Sequence, residues 1–416
     1  MKYFLSIILL ITQSALATEK IKVDISDVVK RVSQNNYKVY ENALKVYQAK
    51  MNIEKARADL LPKLNIWSIA KIIFDPGSII DSISDVAPFL VPANWFRLQE
   101  VKLLFLAEKE GYRALWGNEV NIGKALYTHL VFDQNLLVHV RNSIVEMQKI
   151  HRIVQTRENF GGAKPGTARE IEIKLLGLQE DEQNLLNLLN LEHDELSYIL
   201  GYTADTEILL SPILIPQIDT LKPIEPKDYE FRVLASSPER RQYDHFLSAL
   251  SQIKKEIEYS FLGGSSISRG VGGGIFDSLP TGNGLGFGKG PALKIIDAQK
   301  ELMKTQKLGI EEVLKRQLRA VAIQFNSEIG SYSNFKRRVD LSNESKNAML
   351  RRIELGEDID VVELSEVSRN QIHAETALLA MQYRTISTMD RLSRLIFAGD
   401  YSMNPPLIDS LKGRKP

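Results

Sequence analysis

Val28, Val29, Val32, Val39, Leu44, Val46, Ile53 and Ala56 recur at mostly three- and four-residue spacings over residues 26–60. That period puts them on one face of a helix. Ala43, Ala49, Ala56 and Ala58 let a neighbouring helix come close, and Leu61-Pro62 ends the run. Residues 65–74 change character: β-branched and aromatic residues precede Asp75-Pro76-Gly77, the pattern of a strand and turn. Residues 77–93 are apolar but irregular. From 94 to 159 there is no proline, and Leu103, Leu106, Tyr112, Leu115, Leu126, Leu130, Leu137, Val140, Ile144, Met147 and Val154 form a drifting apolar stripe. As one helix this run spans roughly 100 Å at 1.5 Å per residue. Gly111, Gly117 and Gly123 weaken it locally. It breaks at Gly161-Gly162 and Pro165-Gly166, then resumes over about 167–200, with Gly201 as the C-terminal cap.

The second half follows the same order. Pro212, Pro216, Pro223 and Pro226 mark residues 202–230 as a connector. Ser237-Pro238-Glu239 starts a helix that runs to about Glu258. Residues 259–290 are rich in glycine, another proline-free run covers 292–355, and after Gly356 a last helix extends to about Ala398. Gly166 and Gly356 lie 190 residues apart (356 − 166). Each half therefore reads as helix, irregular or strand segment, very long helix, turn, helix. A period of this length indicates an internal repeat. The expected division is 18–201 for the first repeat, 202–230 for the connector, 231–399 for the second repeat and 400–416 for a polar tail. Helices of roughly 100 Å enclose no compact core and need partners along their length.

Composition narrows the class. Residues 1–17 carry Lys2, an apolar run and Ala15-Leu16-Ala17, the order of a secretory signal peptide. A buried strand or membrane anchor is the alternative for this segment. The chain has no cysteine, which excludes disulfides and zinc–thiolate sites. Its net charge of +1 gives no nucleic-acid signal. No later stretch is apolar for long enough to cross a bilayer as a helix, although short alternating strands of a barrel remain open to an exported chain.

Several local patterns, in this order and twice over, resemble the TolC-like outer-membrane efflux proteins. One is the helix holding Asn35 and closing as Ala-Arg-Ala-Asp-Leu-Leu-Pro-Lys-Leu at 56–64. Another is the glycine break before the acidic helix start at 166–172. The most specific is Leu355-Gly356 with Asp360, Glu363 and Glu366, then Ala380, Tyr383, Leu392 and Leu395 before Gly399. The resemblance covers about 24–400. It implies a mainly α fold with a small β part: duplicated long helical hairpins forming a trimeric α-barrel, with short or atypical outer-membrane β-barrel segments. It also implies a homotrimer in outer-membrane lipid with most of its mass in the periplasm. Its expected partners are a periplasmic adaptor protein and an inner-membrane pump.

The family pattern has four membrane strands per protomer. Here the candidates fall in 64–106 and 259–290. The first strand, Leu64 to Phe74, is acceptable, but its return over Arg97 to Phe105 carries Arg97, Gln99, Glu100 and Lys102, so a helix fits there at least as well. Gly272, Gly273 and Gly274 weaken a strand in the second segment. Trp67 and Trp95 stand where interfacial aromatics of a barrel belong, with core packing as the alternative. A periplasmic helical scaffold lacking a complete pore is the rival reading.

Asp360, Glu363 and Glu366 are the leading functional group. Three-residue spacing keeps neighbours close on a helix. The resemblance puts such acids at the pore constriction, where a trimer makes carboxylate rings that gate the pore and favour cations. Ordinary solvated acids at a helix start are the alternative. Glu170 and Glu172 are the weaker counterparts at the first turn. Gly161, Gly162, Gly166 and Gly356 serve the turns and, by resemblance, adaptor docking. Arg169, Arg351 and Arg352 are candidate latches at the tip. Gly288-Lys289 is followed by Gly290, which fails the phosphate-loop pattern. Among the histidines at 129, 139, 151, 193, 245 and 373 there is no His-Glu-x-x-His pair. No catalytic residue, metal site or cofactor is assigned.

Overall fold

The computed structural model describes residues 20–61, 88–162, 164–262, 265, 276, 279–280, 288–357 and 361–408. The expected signal peptide, the strand at 64–74 with Trp67, most of the glycine-rich segment and Asp360 lie outside them. The described chain is mainly α-helical, with one small sheet.

Strand β1 (Lys20–Val23) leads into α1 (Ile25–Asn35) and α2 (Tyr37–Ala58). Helix α3 spans Pro92–Asn159 and α4 Thr167–Ile199. Strand β2 (Glu207–Leu210) precedes α5 (Pro226–Ser236) and α6 (Pro238–Glu258). Helices α7 (Lys289–Glu354) and α8 (Val361–Leu395) complete the order. At 68 and 66 residues, α3 and α7 are each about 100 Å long.

Three local findings refine the reading from periodicity. The apolar stripe over 26–60 does not belong to one helix: the chain turns extended at Asn36. The Asn36 amide nitrogen donates to the Ile199 carbonyl at 2.9 Å, satisfying one of the acceptors that α4 leaves open at its end. The connector 202–230 holds β2, which pairs in parallel with β1, Lys20 opposite Glu207 and Val23 opposite Leu210. The Tyr127 hydroxyl sits at the end of this pair, 3.0 Å from the Val23 carbonyl and 2.8 Å from that of Ser211. Its burial pushes the phenol up to about 12. Finally, residues 97–105, the candidate return strand, lie inside α3. Arg97 and Glu100 are one turn apart there, fully buried and ion-paired. A period of three to four brings them together on a helix, whereas on a strand they would face opposite sides.

The chain divides into two compact units. The first comprises 1–36, 119–224 and 321–392, and the second 37–118, 225–320 and 393–416. In the first unit α3 and α4 zip along Leu137, Val140, Ile144 and Leu185. A β-carbon at Gly123 would sit 3.0 Å from Val28 and 3.3 Å from Ile199, so this glycine admits α1 and α4 to the α3 surface. In the second unit Ala249, Leu250, Ile253 and Ile257 of α6 pack on Ala292, Ile296 and Met303 of α7. Ile53, Ala56 and Leu60 meet Leu98 nearby. Gly117 does for that unit what Gly123 does for the first: the Arg394 Nε would lie 2.8 Å from a β-carbon at 117. The glycines that weaken α3 on propensity alone mark places where neighbouring side chains press onto it.

Candidate functional site

The first unit contains both turns that join long helices to short ones. At the end of α3 the Gly162 N–H bonds the Arg157 carbonyl at 2.8 Å and the Gly161 N–H that of Glu158 at 3.1 Å. At the end of α7 the Glu357 N–H bonds Arg352 at 3.1 Å and the Gly356 N–H bonds Ile353 at 3.2 Å. Both are the paired 6→1 and 5→2 bonds of a Schellman motif, with a left-handed glycine at φ 74° and φ 90°. Gly356 therefore corresponds in backbone role to Gly161, 195 residues earlier (356 − 161). Gly166, at φ 94°, instead precedes the first residue of α4.

The same offset relates the residues around each glycine. Phe160 and Leu355 are the residues just before, and they are 85% and 81% exposed. Arg157 and Arg352 stand four residues before the glycines, on the last turn of each long helix. Arg157 reaches over to the other turn, donating to the Ile353 carbonyl and, at 3.1 Å, to that of Glu357. It thereby adds a charged donor at the carboxyl end of α7, where a cation also suits the helix dipole. Arg352 bonds Glu357 at 2.7 Å and Glu363 at 2.8 Å, tying the end of α7 to the start of α8. These hydrogen bonds hold its guanidinium pKa above the ordinary value. Glu158 accepts from the Gly166 N–H at 2.6 Å and the Ala168 N–H at 3.0 Å, capping α4. Those two bonds hold its carboxyl below the usual range.

Beneath the turns, Met147, Ile150 and Val154 of α3 pack with Ile171, Met349, Ile353 and Leu364. Lys346 and Glu146 add an ion pair between α7 and α3. The apolar cluster supplies the stable part of this region, because exposed ion pairs each contribute only about 0–1 kcal/mol. Arg157, Arg352, Glu357 and Glu363 are thus a polar clasp over a dry base.

Of the residues singled out from sequence, Arg352, Gly356 and Glu363 come together here. Glu366 is exposed one turn farther along α8. Arg169, Glu170 and Glu172 are exposed on the first turns of α4, and Arg351 is exposed and outside these pairs. Arg157, Glu158 and Glu357 are additional members. Arg157 is signalled only by its place 195 residues before Arg352 (352 − 157), because its partners are backbone carbonyls of another helix. A groove of about 720 Å³ opens between α4 and α8, with Ile173, Leu178, Ile372 and Ala377 on its walls. Among the described residues, no helix is long and apolar enough to cross a membrane.

No protein-family model and no curated protein matches this chain. Solved structures do. A membrane protein from Pseudomonas aeruginosa is similar with a TM-score of 0.71 at 16% identity over 92% of both chains. The Campylobacter jejuni CmeC outer membrane channel gives 0.70 at 13% identity, covering 93% of this chain and 89% of that one. The transmembrane channel protein CusC gives 0.70 at 12% identity, over 91% and 94%. Long helices, the same end motif closing both hairpins and this likeness over nine-tenths of the length agree: the chain has the TolC-like fold.

Proposed function

We propose that this chain is the outer-membrane exit duct of a tripartite efflux or type I secretion system, a passive conduit and not an enzyme. The observation that carries the reading is the likeness to outer-membrane channels over more than 90% of the chain. The chain acts as a homotrimer in the outer membrane with most of its mass in the periplasm, built from the repeats 18–201 and 231–399. Exposed Ile173, Leu176 and Leu191 on α4 and Leu308 and Ile323 on α7 supply apolar surface for self-association. Phe160 and Leu355, at the exposed turns, offer two apolar points on which a periplasmic adaptor protein docks, and an inner-membrane pump supplies the energy.

Bilayer reconstitution of the purified oligomer tests this directly. A duct gives discrete single-channel conductance. A well-folded oligomer that stays silent, even with its clasp removed, points to the periplasmic scaffold, a reading favoured by the helix at 97–105.

The clasp holds the resting duct narrow. Arg157→Ala combined with Arg352→Ala is expected to raise single-channel conductance several-fold, since both ties at the end of α7 are lost. An unchanged conductance removes these arginines from gating. Asp360, Glu363 and Glu366 line the constriction as rings of carboxylates. Changing all three to their amides is expected to bring the cation-to-anion permeability ratio close to one, read as a shift of reversal potential in a salt gradient. If the ratio stays as in the wild type, the acids are solvated helix-start residues.

A further inference from the structure

Well along α3 from the turns, His129 and Asp133 lie four residues apart on one face, opposite Glu192 of α4. The His129 Nδ1 is 2.8 Å from Glu192 Oε1 and 3.3 Å from Asp133 Oδ2. One ligand-capable atom from each of the three side chains falls within 4.8 Å of the others. Asp133 is 3% exposed, and its Oδ2, like Glu192 Oε2, is buried without a hydrogen-bond partner. Two carboxylates thus face each other in a semi-dry seam. The arrangement is costly as it stands, because unpaired buried acceptors lose their hydration.

We propose that His129, Asp133 and Glu192 form a binding site for a first-row transition-metal dication, with Zn²⁺ the best fit, clamping α3 to α4. The donor atoms are His129 Nδ1 and one oxygen from each carboxylate. A tetrahedral zinc with bonds of about 2.0–2.1 Å has its ligand atoms about 3.3 Å apart. The separations of 2.8 and 3.3 Å from His129 Nδ1 are close to that edge, and the third, between the carboxylates, is within 4.8 Å. The mixed nitrogen and oxygen set disfavours Ca²⁺ and Mg²⁺, which prefer all-oxygen shells. The half-exposed His129 leaves the fourth position to water, and the ion's double charge neutralises both acids. No short-range motif announces the site: His129 and Asp133 are one helical turn apart, and Glu192 is 63 residues farther on.

The test is titration of the metal-free, full-length, untagged oligomer in detergent with ZnCl₂, by calorimetry and by thermal unfolding. One Zn²⁺ per chain and a rise in melting temperature are expected. His129→Gln and Glu192→Gln are each expected to weaken that binding at least tenfold and abolish the thermal shift. His129 is exposed, so its variant is expected to fold, which circular dichroism confirms before titration. Absence of zinc binding to the wild type overturns the proposal. So does binding of equal strength by both variants, which would place the ion elsewhere.

Discussion

Replacing Gly201 by alanine is expected to destabilise the protein by about 2–4 kcal/mol. Gly201 ends α4 at φ 69°, a conformation that costs an L-residue about 1–2 kcal/mol before any contact is counted. A β-carbon there would also lie 2.3 Å from the Asn35 carbonyl oxygen and 2.6 Å from the Asn35 β-carbon. The first of these is backbone, which cannot swing aside as a side-chain tip can. The neighbouring Asn36 is itself bonded to Ile199, so moving α1 away breaks the tie that holds it to α4. Gly356→Ala is the control. Its φ of 90° carries a similar backbone cost, but nothing lies within 4 Å of the added carbon. Denaturant unfolding of the two variants, followed by circular dichroism, is expected to show Gly201→Ala as clearly the worse. Equal losses would mean that the α1–α4 junction yields easily and the close contact is unimportant.

Arg394→Met is expected to cost about 3–5 kcal/mol, because it strands a partly buried carboxylate. The Arg394 guanidinium is nearly enclosed and donates to Glu239 at 2.6 Å, to Asn118 at 2.9 Å and to the Ala114 carbonyl at 3.2 Å. It also lies 4.3 Å over the Phe397 ring, whose residue holds a left-handed φ of 48°. Burial alone would raise the Glu239 pKa, yet the Arg394 charge and hydrogen bond, with smaller help from the Glu239 backbone and Ser237, together hold the carboxyl below its ordinary value. A folded-state pKa below the unfolded one adds stability above the unfolded value, about 4.3 for a glutamate. That stability is lost as pH falls through the folded value. The wild type therefore loses this contribution in acid, while the Met variant, with its carboxyl unpaired, narrows its deficit as pH drops and Glu239 takes up a proton. Unfolding measured from pH 7 down to pH 3 checks the sign. The double variant with Glu239→Gln is expected to recover part of the loss; no recovery would assign the cost to packing against Phe397.

The features legible in sequence are those with a local cause. Long proline-free stripes have a helical period whatever they pack against, and Gly161 and Gly356 are the residue type that takes the left-handed position of each turn at least cost. The offset of 190 residues pairs Gly166 with Gly356 as its counterpart. The backbone bonds give that role to Gly161 and leave Gly166 to start α4. Asn36 was invisible as a break because polar residues are common on a helix surface and its partner is 163 residues away. Arg97 and Glu100 are charged on either reading of their segment; charge on both faces of a membrane strand is what lets a helix fit at least as well. Arg157 and Arg394 act on carbonyls and acids from distant segments, which no window along the chain can reveal.

The parallel pairing of β1 with β2 has a consequence for how the molecule is made. Lys20 meets Glu207 only after a loop of 187 residues is closed, an entropic cost of roughly 5 kcal/mol on a flexible chain. Both compact units are assembled from three separated stretches, the first finishing at residue 392 and the second at 416. The last helix contributes Leu364 to one unit and Arg394 to the other, and Tyr401 beyond it is wholly buried. A chain emerging from its amino end therefore cannot finish either unit early. It has to stay unaggregated through nearly its whole length, and shortening it by a few dozen residues at the carboxyl end is expected to undo both units together.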